Sequence, residues 1–384
     1  MLTPFENNLP RRIRFGRGVS GELAAELGRM GLRRPHIVTD AGVRSAGILA
    51  AVTKGLEAAG IHASVFDATE PEPPFTCVTA AVGSVRAAGG IDVIVALGGG
   101  SVMDTAKLVA ATARDGRDAQ GLAGIGKVVT RALPLVCLPT TAGTGSEATP
   151  VAIFSDPVSG SKSGVVDPCL VPDLVLLDPE LTDRLPPGPT AAAGMDALVH
   201  ALVAFIAKSA TPLARGLALE AARRIGPALT VACRNGGDRA ARDAMLLGAH
   251  LAGLAFANSS CCAVHALALP LGGRFHIAHG VTTGCLVGAT MRHNLPAIAM
   301  DVADFTRALG WSADDPSTFP DQLDELADSI GLRQALRQAT VPEAALPGLA
   351  REAVANRRLM APNPRPIDEL QAVEIYRQTL GLHA

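Results

Sequence analysis

The sequence predicts an α/β fold in the first half of the chain and an all-helical fold in the second half. Short apolar runs alternate with helical stretches up to about residue 187, which is typical of a parallel sheet covered by helices. Beyond the proline-rich segment 185–190 (LPPGPT), helical periodicity continues almost to the end without a convincing strand. We therefore expect two domains, residues 1–187 and 188–384.

Each element of the first half is predicted from its own segment. The continuous apolar runs have the length of buried strands and lie at residues 36–39, 63–66, 92–97, 133–138 and 173–177. Helical stretches follow the first three of these strands, over residues 43–59, over residues 77–88 and from Ser101 onward. At the start of the second half, Thr190 is the predicted N-cap of the first helix.

The composition of the 384-residue chain favours a globular protein. Apolar residues make up 48% and charged residues 18%, which is enough for a large core. The 34 Lys and Arg residues do not outnumber the 36 Asp and Glu residues, so we expect no nucleic-acid partner. The N-terminus lacks the apolar core of a signal peptide, and polar residues interrupt the uncharged stretch 251–273, so we expect no membrane span. Seven cysteines without a C-x-x-C spacing are consistent with the cytoplasm.

A glycine run, residues 98–100, joins the third predicted strand to a helix. Glycines let the backbone approach a ligand closely, and the N–H groups at a helix start favour an anion such as pyrophosphate. The alternative is a capping box formed by Ser101 and Asp104. The usual dinucleotide fingerprint is incomplete because Met103 stands where the third glycine is expected. Both interpretations therefore stay open at this point.

Two further features favour a nucleotide without requiring one. The segment 140–146 (TTAGTGS) is a loop of small and hydroxyl residues after an apolar strand. Asp40 ends the first predicted strand, where a carboxylate can accept hydrogen bonds from ribose hydroxyls and repel a 2′-phosphate. Ordinary turn chemistry explains the loop composition equally well, and an Asx-turn explains Asp40.

A carboxylate and three imidazoles in the second half indicate a metal site. Asp196 and His200 are four residues apart on one face of an apolar helix. Burial of a carboxylate costs several kcal/mol unless it is paired or bound to a metal. His265 and His279 lie in a second apolar region, where Pro270 and several glycines predict a turn between them. Together these side chains offer four ligands for a divalent ion. The alternatives are a buried salt bridge and hydrogen-bonded core histidines.

The motifs, taken in order, resemble those of one family, the iron-dependent (group III) alcohol dehydrogenases. The run G-G-G-S-x-x-D-x-x-K lies at residues 98–107, and P-T-T-x-G-T-G-S-E at 139–147. The metal motif G-x-D-A-x-x-H lies at 194–200. V-H-A-x-x-x-P-L-G-G lies at 264–273, and F-H-x-x-H-G follows at 275–280. The resemblance covers nearly the whole chain.

The resemblance implies a dehydroquinate-synthase-like fold, with an N-terminal dinucleotide-binding domain and an all-α metal-binding domain. It implies a dinucleotide cofactor, a divalent ion (iron first, zinc as the alternative) and a homodimer or larger homo-oligomer. The carboxylate of Asp40 favours NAD over NADP as this cofactor. The implied metal ligands are Asp196, His200, His265 and His279. The implied cofactor contacts are Asp40, Gly98, Gly99, Ser101, Asp104, Thr140, Thr141, Ser146 and Lys162.

The implied reaction is hydride transfer between the nicotinamide and a small alcohol, aldehyde or ketone whose oxygen binds the metal. Two positions depart from the family pattern. Leu269 stands where many relatives carry a proton-relaying His or Tyr, so His276 is the nearest substitute and our candidate catalytic residue. Ala278 stands where a proline commonly precedes the last ligand, and we expect weaker metal binding from this change.

Three alternatives remain from the sequence. Sugar-phosphate cyclases and glycerol-1-phosphate dehydrogenases share the implied fold and use NAD with zinc, but they need clustered basic residues, and only Arg274 is cationic among the helical motifs. Maleylacetate-type reductases generally lack the metal ligands. The third alternative is a non-enzymatic protein in which these residues form a structural metal site. Arg274 itself either binds a substrate carboxylate or forms an ordinary salt bridge.

Overall fold

The computed structural model of the chain describes residues 4–114, 117–156 and 162–382. The strands are β1 (Ile13–Phe15), β2 (Pro35–Val38), β3 (Ser64–Phe66), β4 (Val93–Gly98), β5 (Gly124–Ile125), β6 (Leu135–Pro139), β7 (Val151–Ser155), β8 (Lys162–Val166) and β9 (Leu174–Leu177). Six of them form a parallel sheet in the order β1-β9-β6-β4-β2-β3. The other three form a small sheet in the order β5-β8-β7.

The large sheet is covered on both faces. Its helices are α1 (Leu23–Arg29), α2 (Ala41–Ser45), α3 (Ile48–Ala58), α4 (Phe75–Ala88) and α5 (Gly100–Thr112). Along β4, Ile94 and Ala96 belong to the cluster of buried side chains that includes α4 and α5. Val93, Val95 and Leu97 belong to the opposite cluster, which includes α1 and α3. Because successive strand residues face opposite sides, a doubly covered strand reads as a continuous apolar run, and the predicted parallel sheet is confirmed.

Three elements differ from the sequence prediction. The predicted helix 43–59 is divided into α2 and α3 at Gly47, whose φ of 77° interrupts a right-handed helix. The edge strand β1 was not predicted, because its segment (IRF) is short and contains an arginine. The small sheet was not predicted, because β5 has two residues and β8 (KSGVV) begins with polar residues, so the apolar run of β7 (VAIFS) had no recognisable partner. In the structure, β1 pairs with β9 in parallel, with Ile13 opposite Val175.

The second half is helical throughout the part that the structure describes. Its helices are α6 (Pro187–Ile206), α7 (Pro212–Arg234), α8 (Arg239–Ala257), α9 (Ala263–Phe275), α10 (His279–Ala308), α11 (Phe319–Ser329), α12 (Leu332–Arg337), α13 (Leu346–Ala355), α14 (Arg357–Met360) and α15 (Glu369–Leu380). The predicted N-cap at Thr190 is wrong, because α6 begins at Pro187, whose fixed φ suits the first turn of a helix. Among the described residues, α6 alone has the length and apolar composition of a membrane span, and most of it is buried inside the protein.

The centre of the helical half is α6. At Gly194, an added Cβ would lie 2.4 Å from the side chain of Leu229 on α7 and 2.8 Å from Met245 on α8. The missing side chain therefore lets three helices pack closely around the turn that carries Asp196. This packing fixes the position of the first predicted metal ligand.

The chain divides into two compact units. The first unit consists of Asn8–Thr141 with Gly145–Leu185. The second unit consists of Pro186–Ala384 with the N-terminal residues to Asn7 and the short segment Ala142–Thr144. The change between them at residues 185 and 186 lies next to the predicted boundary at residue 187. The assignment of residues 1–187 and 188–384 to separate cofactor and metal domains stays a prediction.

A buried histidine in the sheet makes stability depend on pH. His36 on β2 is fully buried, and its Nδ1 lies 2.7 Å from Ser64 Oγ. Burial lowers the pKa of His36 from 6.5 to about 4. As the pH falls, the unfolded chain therefore takes up this proton first, and the folded state loses stability between those two values. We expect a loss of about 2 kcal/mol between pH 7.5 and 5, which His36→Leu should remove. Urea unfolding of both proteins at both pH values measures it, and equal pH slopes would contradict the assignment.

Candidate active site

The predicted nucleotide residues of the first unit gather at one edge of the large sheet. Asp40 follows β2, Gly98 ends β4 and Thr140 follows β6, and these three strands are neighbours. The backbone N–H of Thr140 donates to the carbonyl oxygen of Gly98 at 3.0 Å. Because parallel strands end at the same edge, the fold brings together three segments that are distant in sequence. Ligands of open α/β sheets bind at this carboxyl edge.

The glycine run makes a tight connection from β4 into α5. A Cβ on Gly98 would lie 2.5 Å from the Val102 side chain, so close packing of strand and helix accounts for this glycine. A Cβ on Gly99 would lie 3.3 Å from Thr141. Gly99 is the N-cap of α5, and no side chain caps the helix there, so the alternative of a Ser101 capping box is wrong. The first N–H groups of α5 therefore keep their capacity to bind an anion.

Asp104 and Ser146, two predicted cofactor contacts, bind each other. Ser146 Oγ donates to Asp104 Oδ1 at 2.7 Å, and the N–H of Ile153 donates to the other carboxylate oxygen at 2.9 Å. Burial raises the pKa of Asp104, while the neighbouring Lys107 ammonium and these hydrogen bonds oppose the rise. The arrangement holds the segment after β6 against α5. Direct contact of either residue with a cofactor stays a prediction.

Lys107 completes this network from inside the protein. It is fully buried, and its Nζ lies near five oxygens: Ser146 O (2.6 Å), Ser146 Oγ (2.9 Å), Thr149 O (2.9 Å), Thr149 Oγ1 (3.0 Å) and Val151 O (2.6 Å). Burial lowers the pKa of Lys107, and the Asp104 carboxylate opposes that shift. The oxygens replace the water that the ammonium loses on burial. Lys107 thus fixes the backbone of the segment that follows residue 145.

Lys162, the remaining predicted contact on this unit, has a partner that the sequence did not reveal. Its Nζ lies 2.5 Å from Glu72 Oε1. Glu72 has a φ of 49°, a left-handed conformation that is uncommon for residues other than glycine. Its backbone N–H donates to Ser101 Oγ at 3.2 Å. Glu72 therefore connects Lys162 with the start of α5. The only sequence signal for Glu72 was its position before Pro73 in a proline-rich loop.

The structure brings all four predicted metal ligands together within the second unit. The distances from the Asp196 carboxylate oxygens are 3.7 Å to His200 Nδ1, 3.9 Å to His265 Nε2 and 3.8 Å to His279 Nε2. Two ligand atoms bound to one ion are roughly 3 to 4 Å apart, given bond lengths of about 2.1 Å. We refer to these four residues as the Asp196 cluster.

The Asp196 cluster has the properties of a metal site. His265 is 5% exposed, and neither of its ring nitrogens has a hydrogen-bond partner. The buried Nδ1 of His200 also has none. Burial, with further contributions from His200 and His279, lowers the pKa of His265 well below 6.5 and keeps it in the neutral form that binds metals. Orphaned nitrogens around one carboxylate fit a divalent ion and do not fit a hydrogen-bonded core, which would have satisfied them.

Local structure positions the four predicted metal ligands. Asp196 and His200 lie one turn apart on α6, His265 lies in the first turn of α9, and His279 begins α10. The predicted turn at Pro270 is wrong: α9 continues to Phe275 because burial of Pro270 and its neighbours outweighs the lost hydrogen bond. The chain turns instead at residues 276–278.

The turn into α10 holds His279, the last of the predicted metal ligands. Ala278 has a φ of −53°, inside the range that proline imposes, so a proline would fit at this position without a change of the backbone. A Cβ on Gly280 would lie 2.0 Å from the carbonyl oxygen of Ala192, so α10 begins in close contact with α6. His276, our candidate catalytic residue, has a φ of 52° and an exposed side chain. Its catalytic role stays a prediction.

Several neighbours of the Asp196 cluster were not predicted from the sequence. Thr283 Oγ1 donates to Asp196 Oδ1 at 3.0 Å, and the signal for it was its position one turn after His279. The Phe256 ring stacks on His200 with centroids 4.4 Å apart. The Cys261 sulfur lies near His200 and His265, and burial together with the Asp196 charge raises the pKa of its thiol to about 12.

Arg274 forms an ordinary salt bridge, which was one of the two roles expected for it. Its Nη2 lies 2.6 Å from Glu352 Oε2, and both side chains are 49% exposed. An exposed ion pair of this kind contributes at most about 1 kcal/mol to stability. The salt bridge therefore accounts for Arg274 without a substrate carboxylate.

Comparisons with known proteins agree with this geometry. Residues 10–179 match the sequence profile of the iron-containing alcohol dehydrogenases, and residues 190–380 match that of the C-terminal region of the Fe-containing alcohol dehydrogenase family. Long-chain-alcohol dehydrogenase 1 of Geobacillus thermodenitrificans (strain NG80-2) is 36% identical over 376 residues, which cover 96% of this chain and 94% of that protein.

Two solved structures extend the agreement to the fold. A 1,3-propanediol oxidoreductase superposes with a TM-score of 0.93 at 32% identity, covering 98% of this chain and all of that one. Sulfoacetaldehyde reductase from Bifidobacterium kashiwanohense, in complex with NAD⁺, superposes with a TM-score of 0.91 at 29% identity, covering 99% of this chain and all of that one. The chain therefore belongs to the iron-containing alcohol dehydrogenase family and is an NAD-dependent oxidoreductase that interconverts alcohols and aldehydes or ketones.

Proposed function

We propose that the Asp196 cluster binds the catalytic metal ion, iron in preference to zinc. The observation that carries the proposal is the set of buried histidine nitrogens without hydrogen bonds around one carboxylate. One carboxylate and three imidazoles suit both Fe²⁺ and Zn²⁺, and the family description favours iron. When bound, the ion supplies Lewis-acid polarisation of the substrate oxygen. Thr283 orients Asp196 through its hydrogen bond, and Phe256 keeps water from one face of His200.

The carboxyl edge of the large sheet is the proposed NAD site. Residues around the start of α5 offer backbone N–H groups to the pyrophosphate, and Asp40 offers a carboxylate to the adenosine ribose. NAD supplies or accepts the hydride when it is bound. Lys162 is held toward this edge by Glu72, and Asp104 and Ser146 support the segment after β6. The proposed contacts are Asp40, Gly98, Gly99, Ser101, Asp104, Thr140, Thr141, Ser146 and Lys162.

The proposed substrate is a small, largely apolar alcohol or aldehyde. Phe256 and the half-buried Leu269, which lies one turn after His265 on α9, give the surroundings of the Asp196 cluster an apolar character. Arg274, the cation that could recognise a substrate carboxylate, is engaged by Glu352. We therefore expect neutral aldehydes to be reduced faster than acidic ones of the same length.

Metal removal tests the proposed function directly. NADH oxidation with matched neutral and acidic aldehydes would be followed on native protein, on metal-stripped protein, and after anaerobic addition of Fe²⁺ or Zn²⁺. We expect stripping to lower turnover more than about 100-fold and Fe²⁺ to restore it, because Lewis-acid stabilisation contributes several kcal/mol. NADH binding, measured by fluorescence, should be unaffected and serves as the control. Undiminished activity after stripping would instead support a metal-free reductase.

The carboxylate of Asp40 is expected to give the enzyme its preference for NADH over NADPH. Its Oδ1 accepts from the N–H of Val43 at 2.8 Å, so the same side chain also caps α2. Asp40→Ser keeps an N-cap but removes the charge, and we expect the ratio of kcat/KM for NADH over NADPH to fall at least about 10-fold. Asp40→Ala should shift the ratio similarly but also lower the melting temperature. An unchanged ratio in both variants would leave Asp40 only its capping role.

We also propose that the protein is a cytoplasmic homo-oligomer. The edge strand β1 carries two partly exposed apolar side chains, Ile13 and Phe15, at 38% and 41%. A strand with one unpaired side and apolar residues is suited to pairing with a second copy. All seven cysteines are free thiols, which is typical of a reducing compartment.

A further inference from the structure

A sulfur atom adjoins two residues of the Asp196 cluster. Cys261 Sγ and one ring nitrogen each of His200 and His265 all lie within 4.8 Å of one another. Asp196, His265 and His279 form a second group in which one ligand atom of each also lies within 4.8 Å of the others. The two groups share His265. Two adjoining groups of side chains therefore offer a carboxylate, a thiol and three imidazoles.

The connection between α8 and α9 places this sulfur. Ser259 Oγ donates to the carbonyl oxygen of Ala204 at 3.0 Å, and Cys262 Sγ lies 3.5 Å from the carbonyl oxygen of Val203. The hydrogen bond of Ser259 fastens the segment to the backbone of α6, whereas the thiol of Cys262 is a weak donor that contributes little to this anchoring. The two adjacent cysteines consequently have different environments, because Cys262 contacts a backbone carbonyl while Cys261 adjoins the histidines.

The unsatisfied nitrogens of His265 give an independent indication that this group of side chains binds a ligand. His265 is 5% exposed, and both of its ring nitrogens lack a hydrogen-bond partner. The nitrogen that faces Asp196 is Nε2, at 3.9 Å, so binding an ion there leaves Nδ1 still unsatisfied. A buried polar atom without a partner costs about 1 to 3 kcal/mol, so such atoms usually have one.

We propose that Cys261, with His200 and His265, forms a second donor set for thiophilic divalent ions such as Zn²⁺, Co²⁺ or Cd²⁺. The inference rests on the proposed function, since two of the ligands belong to the Asp196 cluster. When Cys261 binds, its thiol proton is released to solvent and a sulfur–metal bond forms, without any change of oxidation state. Thiolate ligands favour softer ions, whereas carboxylate suits harder ones. Compared with the Asp196 cluster alone, a donor set that includes Cys261 therefore strengthens the binding of Zn²⁺ more than the binding of Fe²⁺.

Cobalt spectroscopy on the metal-free, full-length protein tests this proposal. Bound Co²⁺ absorbs in the visible range whatever its ligands, whereas a thiolate ligand adds a charge-transfer band in the near ultraviolet. We expect both signals in the native protein and in the control variant Cys262→Ala. Cys261→Ala and the milder Cys261→Ser should keep the visible bands and lose the charge-transfer band. Their affinity for Zn²⁺ should fall at least about 10-fold, while their affinity for Mn²⁺, a harder ion, stays unchanged.

Other outcomes separate this proposal from the proposed function. Visible bands without a charge-transfer band in the native protein would overturn the role of Cys261 and leave the Asp196 cluster intact. A charge-transfer band that persists in both Cys261 variants would also overturn it, since the thiolate would then be another residue. If no Co²⁺ binds to the native protein, both the proposal and the metal assignment of the Asp196 cluster fail.

Discussion

Asp196→Asn should lower the affinity for the metal ion more than about 100-fold and abolish turnover with it. Removal of a group that only supports a ligand already costs 10- to 100-fold in metal affinity, so a ligand itself should cost more. The substitution is nearly isosteric, and asparagine can still accept the hydrogen bond from Thr283, so the fold should survive. The carboxylate charge is what is lost, at a position 3.7 to 3.9 Å from three histidine nitrogens. Metal content and metal dissociation constants, measured beside kcat, check this expectation.

A matched control for Asp196→Asn is Asp304→Asn on the surface of α10. Asp304 is 58% exposed and pairs only with the nearby Arg307 in the described structure, so its loss should change neither metal content nor turnover. A variant at position 196 that holds the ion as tightly as the native protein would mean that Asp196 and His200 form a buried salt bridge.

Lys107→Met should destabilise the first unit by about 3 to 5 kcal/mol, the usual cost of breaking a buried charged network by removing one partner. Methionine matches the length of lysine but leaves the oxygens of Ser146, Thr149 and Val151 without their shared donor. The Asp104 carboxylate also loses the neighbouring positive charge that favours its ionised form. Urea unfolding followed by far-ultraviolet circular dichroism gives the free energy. NADH affinity should fall as well, because the segment after residue 145 loses its anchor.

The exposed Lys54 on α3 provides the comparison, since Lys54→Met removes the same charge from a solvated position. We expect Lys54→Met to change the free energy of unfolding by less than about 0.5 kcal/mol. A loss below about 1 kcal/mol in Lys107→Met would show that water can enter and replace the ammonium.

The sequence predicted the elements whose causes are local. The strands around Ile37 and Val95 can be recognised in the sequence, because burial on both faces requires a continuous apolar run. The division of one helix at Gly47 was missed, since a single glycine permits a break without requiring it. The strand β1 was missed because its pairing with β9 joins residues far apart in the chain.

The site could be predicted only in part for the same reason. Asp196 and His200 share one helix face, so their proximity follows from spacing. His265 and His279 were candidates because of their apolar surroundings, but no spacing in the sequence showed that they lie beside Asp196. The partners Glu72, Thr283 and Cys261 lie on other segments, and their proximity depends on how these segments pack. A contact set by packing between distant segments leaves no periodic trace in one sequence.

The pairing of β1 with β9 also constrains how the chain is made. Strand β1 is synthesised long before its neighbour in the sheet, which begins at Leu174 and emerges from the ribosome only after strands β2 to β8. Closure of such a long chain segment is entropically costly and slow. Until β9 has been synthesised, Ile13 and Phe15 of the nascent chain therefore have no partner strand and are accessible to chaperones and to premature association with other chains. Translation that pauses before β9 should lengthen this interval, and pausing after it should let the sheet close.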